Sequence, residues 1–306
     1  VLAVGRLLAF VLVTLLLTPV QLVMCRLPGR APFWITKFYH RLCCRLFGIR
    51  RIVRGRRKLP KGMPRLIVAN HLSYLDITVL GSLLPASFIA KSEIARWPVF
   101  GLLAKLQKSL FVKRSSEQTA KQLHDMRARF HNGDTLILFA EGTSGDGTRL
   151  FPFKSSLFGI INRLDDQPLV VQPVVISYVA CNGIPVGRNE LPNLAWYGDM
   201  SILSHGWNML KIGRIQVLID FLDPMTVQAS DNRKRISEQC FEVMRQTYEQ
   251  NMRSWSAVDG IPRRPRSLRQ RLSRKPMAAI AATPAATPVS TASATKVPSP
   301  DDQAVA

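Results

Sequence analysis

The chain has 306 residues, 47% of them hydrophobic, enough to bury a sizeable core in one large domain or two small ones. Its formal net charge of +22 implies attraction to polyanions, either nucleic acid or an anionic membrane surface. Its five cysteines (Cys25, Cys43, Cys44, Cys181 and Cys240) include no C-x-x-C pair, which argues against a disulfide framework or a zinc site and for buried or membrane-facing thiols.

Residues 7–24, "LLAFVLVTLLLTPVQLVM", carry no charge, and such a length is the lower limit for a spanning helix. Pro19 could kink it, so a helix that dips in or lies shallow is equally allowed. Residues 1–75 hold fourteen Lys or Arg and no acid, and a basic flank beside an apolar helix reads as the cytoplasmic side. Nucleic-acid binding would not require the apolar helix, so a bilayer is the favoured partner and no nucleic acid is expected. A cleaved signal peptide would want small residues at its cleavage site, and "LVMCRLPG" has none. The opening Val1 suggests a true start that is missing or unusually encoded. Residues 33–49 predict a second, amphipathic helix, with Phe38, Leu42, Leu46 and Ile49 on one face and Lys37, Arg41 and Arg45 on another.

From residue 52 strand-like runs (65–70, 87–91, 109–114, 134–140, 169–179 and 214–222) alternate with helical candidates (75–84, 96–107, 115–131, 154–164, 201–212 and 231–252). This pattern predicts an α/β fold: a mixed or mostly parallel sheet flanked by helices, with an N-terminal membrane-associated helical segment. Loops at the carboxyl ends of such strands are the expected place for chemistry, and Asn70-His71 and Glu141-Gly142 fall there. The expected domains are residues 1–50 as a membrane helix or hairpin, 51–255 as the catalytic domain, and 256–306 as a disordered tail, basic and then rich in Ala, Pro and Thr.

In "IVANHLSYLD" (67–76), His71 lies in the turn after a strand and Asp76 in the following helix. Residues five apart within one helix point about 140° away from each other, so the two can meet only if His71 lies off the helix end. A carboxylate on one ring nitrogen would fix the tautomer and raise the basicity of the other, making a general base; a helix-capping His-Asp pair is the bland alternative. Ser73 reads as a helix-start residue, and the absence of G-x-S-x-G argues against a serine hydrolase. In "LILFAEGTSGDGTRLFPFK" (136–154), Gly142 and Gly147 are spaced as in a P-loop, but Thr148-Arg149 replaces the required Lys-Ser/Thr. His124 and His131 have no third metal ligand in view. His40 and His205 are expected near surfaces.

"NHLSYLD" and "FAEGTS" resemble the N-H-x4-D and F-P-E-G-T-R blocks of the glycerolipid acyltransferases, the 1-acylglycerol-3-phosphate acyltransferase type. Between them "KSEIARWPVFGLLAKLQKSLFVKR" (91–114) fits the family's intermediate block, and "VVQPVVI" (170–176) fits the last, so the likeness covers residues 65–180. It implies transfer of a fatty acyl group from acyl-ACP (acyl-carrier protein) or acyl-CoA, as co-substrate and with no cofactor or metal, to a lysolipid hydroxyl. His71 would be the base and Asp76 its orienting carboxylate. Asn70, Lys91, Arg114, Glu141, Gly142, Thr143, Ser144, Arg149 and Lys154 would bind substrate. Ser144 stands where the family usually has Arg, and Ala140 where it has Pro; a hydroxyl cannot supply a bidentate cationic grip on phosphate. The downstream "LAWYGDMSILSHGWNMLKIG" (194–213) is similar to the bacterial lyso-ornithine lipid acyltransferase branch. The resemblance therefore leans to a lyso-ornithine acceptor over lysophosphatidic acid, in the inner membrane with the catalytic domain on the cytoplasmic side. A non-enzymatic basic adaptor or a lipid thioesterase are the competing classes.

Overall fold

The structure, a computed structural model, describes residues 1–27, 29–55, 63–112, 119–163 and 168–255. The predicted tail, Arg114 and residues 115–118 of the helix expected at 115–131 lie outside the described residues. The described residues form one compact unit.

The strands are β1 (Ile49–Gly55), β2 (Arg65–Ala69), β3 (Ser87–Lys91), β4 (Leu110–Val112), β5 (Thr135–Phe139), β6 (Leu169–Cys181), β7 (Ile184–Pro185), β8 (Ile215–Phe221) and β9 (Met225–Val227). They form one sheet in the order β1-β8-β6-β2-β5-β3-β4, with β7 and β9 also paired to β6. β6, β2, β5, β3 and β4 run parallel, as do β1 and β8, while β6 and β8 are antiparallel. The sheet is therefore mixed and mostly parallel, as the alternation of strand and helix predicts. β1 is missing from the predicted strands because Arg50, Arg51 and Arg54 break its apolar run; as an edge strand it needs few buried side chains.

The helices are α1 (Leu2–Arg26), α2 (Ala31–Leu46), α3 (Leu75–Leu83), α4 (Phe100–Leu106), α5 (Thr119–His131), α6 (Leu191–Leu194), α7 (Ile202–Lys211) and α8 (Arg233–Ser254). The predicted helix at 154–164 is instead a 3-10 turn series, Ser155–Arg163. Successive side chains of β2 alternate between two cores. Ile67 and Ala69 join a cluster containing Cys44, Leu75, Val79 and Leu80. Leu66 and Val68 join one containing Phe130, Phe158, Cys240 and Met244. Helices thus cover both faces, and the parallel strands β2, β3 and β5 end on one common edge.

α1 runs unbroken through Pro19, and its polar side chains turn toward the protein. Arg6 donates to the carbonyls of Leu210 (3.1 Å), Ile212 and Gly213 (2.7 Å); Gln21 donates to Leu106 O at 2.8 Å, and Thr14 pairs with Tyr39 at 3.0 Å. Leu8, Leu12, Leu15 and Leu16 point outward. In α2 the buried residues include Phe33, Lys37, His40 and Cys44, whereas Trp34 and Phe38 are exposed. Of the two expected faces, Phe38 is exposed and Ile49 buried, while Lys37 is buried and Arg41 and Arg45 are exposed. An amphipathic helix in water buries its apolar side, but here several polar groups find partners inside and apolar side chains stay outside, the arrangement that suits lipid. His40 and His205 are also buried rather than near surfaces: His40 Nε2 pairs with Gln107 Oε1 at 2.9 Å, and His205 Nδ1 with the Tyr74 hydroxyl at 3.1 Å. Burial pushes the His40 imidazole down to about 4.

Candidate active site

His71 and Glu141 both sit just beyond the carboxyl ends of paired parallel strands, β2 and β5. The turn Asn70–Tyr74 carries the chain from β2 into α3, whose first turn holds Asp76. Asp76 is fully buried, and four donors converge on its carboxylate. Oδ2 accepts from Leu72 N (2.7 Å) and Ser73 N (2.9 Å) and lies 2.9 Å from His71 Nδ1. Oδ1 accepts from the Tyr178 hydroxyl at 2.8 Å. Two of these donors are backbone amides of the turn itself, so the carboxylate both closes the turn and receives the imidazole. With the carboxylate as acceptor, Nδ1 is the ring nitrogen that donates to it, and in the neutral imidazole the lone pair is then on Nε2. The His71 side chain is 18% exposed and stacks on Phe139, with ring centroids 3.9 Å apart and planes at 14°. The ring is held on one edge and one face while remaining open to a reactant.

Glu141 is placed differently from the expectation of substrate contact. It is buried; Oε1 accepts from His71 N at 2.9 Å and Oε2 from Phe151 N at 3.1 Å. It therefore ties the backbone at His71 to that at Phe151. Burial first, and the Asp76 charge in addition, push its carboxyl up to about 8, against the lowering effect of the two amides. Asn70 also turns inward. Its amide donates to Ile176 O (3.0 Å) and accepts from Ile176 N (2.8 Å), continuing the β2–β6 pairing one residue past the strand. Both residues support the turn, with their polar atoms satisfied in the interior.

The other expected site residues, Arg114 apart, are more exposed. Thr143, Arg149 and Lys154 are exposed, Gly142 and Ser144 half-buried, and Lys91 is exposed at the end of β3. Arg149 lies over the Phe151 ring, 5.9 Å from its centroid. Asp146 Oδ1 accepts from both Thr148 N and Thr148 Oγ1, at 2.9 and 2.8 Å, which shapes the loop. Gly147, at φ +81°, brings this loop against the His71 turn: a Cβ there would stand 2.1 Å from Leu72 Cδ1. Gly145 N donates to His71 O at 3.0 Å and the Tyr248 hydroxyl to Gly147 O, so the two motifs form one unit. Phe139 and Tyr178 were missed by sequence reasoning. Phe139 lies inside the "FAEGTS" block, so its position was a usable signal; Tyr178 sits 102 positions from Asp76 and carries none.

A family model described as Acyltransferase matches residues 50–177. The chain is 38% identical over 259 residues to the lyso-ornithine lipid O-acyltransferase of Rhizobium meliloti (strain 1021), covering 82% of this chain and 88% of that protein. The chain belongs to the acyltransferase family. A second relative, the lyso-ornithine lipid O-acyltransferase of Brucella abortus (strain 2308), is 39% identical over 75% of this chain and 87% of its own length. The 1-acyl-sn-glycerol-3-phosphate acyltransferase of Neisseria meningitidis serogroup B is 27% identical over 61% of this chain and 69% of its own. In fold, this acyltransferase is similar to the crystal structure of the 1-acyl-sn-glycerophosphate (LPA) acyltransferase from Thermotoga maritima, with a TM-score of 0.58 at 18% identity, over 82% of this chain and 99% of that one. Among the described residues His71 Nε2 has no hydrogen-bond partner, and the carboxylate beside the ring is satisfied.

Proposed function

We propose that this acyltransferase moves a fatty acyl group from an acyl-ACP or acyl-CoA thioester to the free hydroxyl of a lyso-ornithine lipid, at the cytoplasmic face of the inner membrane. The observation that carries the chemistry is the His71–Asp76 pair, 2.9 Å apart, with Asp76 wholly buried and the imidazole open on its far edge. His71 Nε2 takes the hydroxyl proton as the acceptor oxygen bonds to the thioester carbonyl carbon. The tetrahedral intermediate then expels the thiolate as the C–S bond breaks, and the imidazolium returns the proton to sulfur. Asp76 holds the ring and stabilises its charged form, so no covalent acyl-enzyme is required. General-base help of this kind contributes about 10²- to 10⁴-fold.

The acceptor reading rests on Ser144, where the phosphate-acceptor pattern has an arginine, and on the relatives named for lyso-ornithine lipid. The exposed Arg149 and Lys154 are the cations that a carboxylate-bearing headgroup would meet, with Lys91 at the end of β3 a third candidate. Residues 1–50 would act as the membrane segment, their outward leucines holding the site at bilayer depth. The test offers purified full-length protein lyso-ornithine lipid or lysophosphatidic acid, each with labelled acyl-CoA or acyl-ACP. Product from lyso-ornithine lipid is expected; a strong preference for lysophosphatidic acid would overturn the acceptor assignment. Loss of thioester without any acylated lipid would overturn the transfer itself.

A further inference from the structure

We propose that α7 is a second membrane-inserting element, which dips Leu203 and Trp207 into the acyl-chain region of an anionic bilayer while the basic groups at its carboxyl end hold lipid headgroups. The α7 helix carries two faces. His205, Met209 and Leu210 are buried, whereas Leu203 is 79% and Trp207 40% exposed, one helical turn apart on the same side. Met200, 38% exposed, extends this apolar stripe just ahead of the helix. Lys211 lies 5.8 Å from the Trp207 ring centroid, and a Trp beside a Lys at a helix end suits the boundary between acyl chains and headgroups.

Two neighbours say what covers this stripe. The first is α1, which packs against α7 and is pinned to its end by Arg6 on the carbonyls of Leu210, Ile212 and Gly213. The two helices are thus held together, so a bilayer that meets the outward leucines of α1 would also come to α7. The second is a shallow hollow of about 450 Å³ just past the end of α7, lined by Cys44, Arg45, Gly48, Ile49, Arg50 and Arg214. Arg214 follows Lys211 by three residues, so a basic rim adjoins the apolar stripe. Apolar side chains bordered by cations fit an anionic bilayer better than a water-soluble partner. The inner face of α7 meets the catalytic turn through the Tyr74–His205 hydrogen bond, and Trp196 N donates to Leu72 O at 3.0 Å in the preceding loop. Insertion of α7 therefore sets the His71 turn at the lipid surface.

The full-length protein is mixed with phosphatidylglycerol–phosphatidylcholine vesicles whose acyl chains carry bromine, a short-range quencher of tryptophan. Wild type is expected to lose more emission than Trp207→Phe, the difference being the quenched Trp207 signal. Equal quenching of the two proteins would overturn the proposal. Leu203→Glu is expected to slow acyl transfer roughly tenfold with vesicle-embedded lysolipid while leaving the rate in neutral detergent micelles unchanged. An equal loss in micelles, or a change from dimer to monomer with Trp207 quenching intact in the variant, would overturn it by making the stripe a structural or self-association surface. The quenching needs no turnover, so it reads the surface even if the acceptor assigned above is wrong.

Discussion

At the residue scale the site depends on Asp76, a carboxylate that bridges local and distant structure. Its Oδ2 serves the turn and His71; its Oδ1 is held by Tyr178 from β6. Asp76→Asn places an amide among four donors, so it is expected to lower turnover about 10²-fold or more in a steady-state acyl-transfer assay, as His71→Ala would. Tyr178→Phe removes only the distal hydrogen bond; it is expected to cut kcat severalfold with KM little changed in a steady-state assay. Glu141 gives a stability test. Its carboxyl is raised from 4.5 to about 8 in the folded state, so between those values the native protein holds more protons than the unfolded chain, and stability falls as pH rises through that window. In Glu141→Gln this slope is expected to flatten in denaturant titrations at pH 5 and pH 8, while the amide, facing one backbone N–H with its own NH₂, costs about 1–3 kcal/mol overall.

At the element scale the close seat of α2 on α3 is the vulnerable joint. Gly81 lets the His40 ring lie against α3: a Cβ at that position would stand 2.4 Å from His40 Cδ2. The ring cannot swing away, because Nε2 is paired with Gln107 and the residue is buried. Gly81→Ala is therefore expected to destabilise the protein by about 1–3 kcal/mol, read as a lower thermal midpoint. Strands β2, β5, β6 and β8 were legible because their runs are rich in apolar residues and mostly buried. The edge strand β1 was not, since its arginines mask the pattern. The orientation of α2 was also hidden, because periodicity reports which residues share a face and not whether water or lipid meets that face.

At the scale of the whole molecule, charge and apolar surface act together. With +22 net charge and the exposed stripe of α1, binding to anionic vesicles is expected to weaken, but not vanish, between about 0.05 M and about 0.5 M salt in a co-sedimentation assay. Full release at high salt would leave no role for the apolar helix. The sequence by itself determined the strand–helix alternation, the basic and apolar N-terminus, and the His71–Asp76 pair, because each is local: a period, a composition, or a contact across a single strand-to-helix turn. Only the tertiary structure decided that Tyr178 buttresses Asp76, that Glu141 and Asn70 face inward to hold the turn, and that Lys37 and His40 of α2 are buried. Those outcomes depend on which distant segments pack together and on what medium remains beyond them, and neither is encoded in the spacing of neighbouring residues.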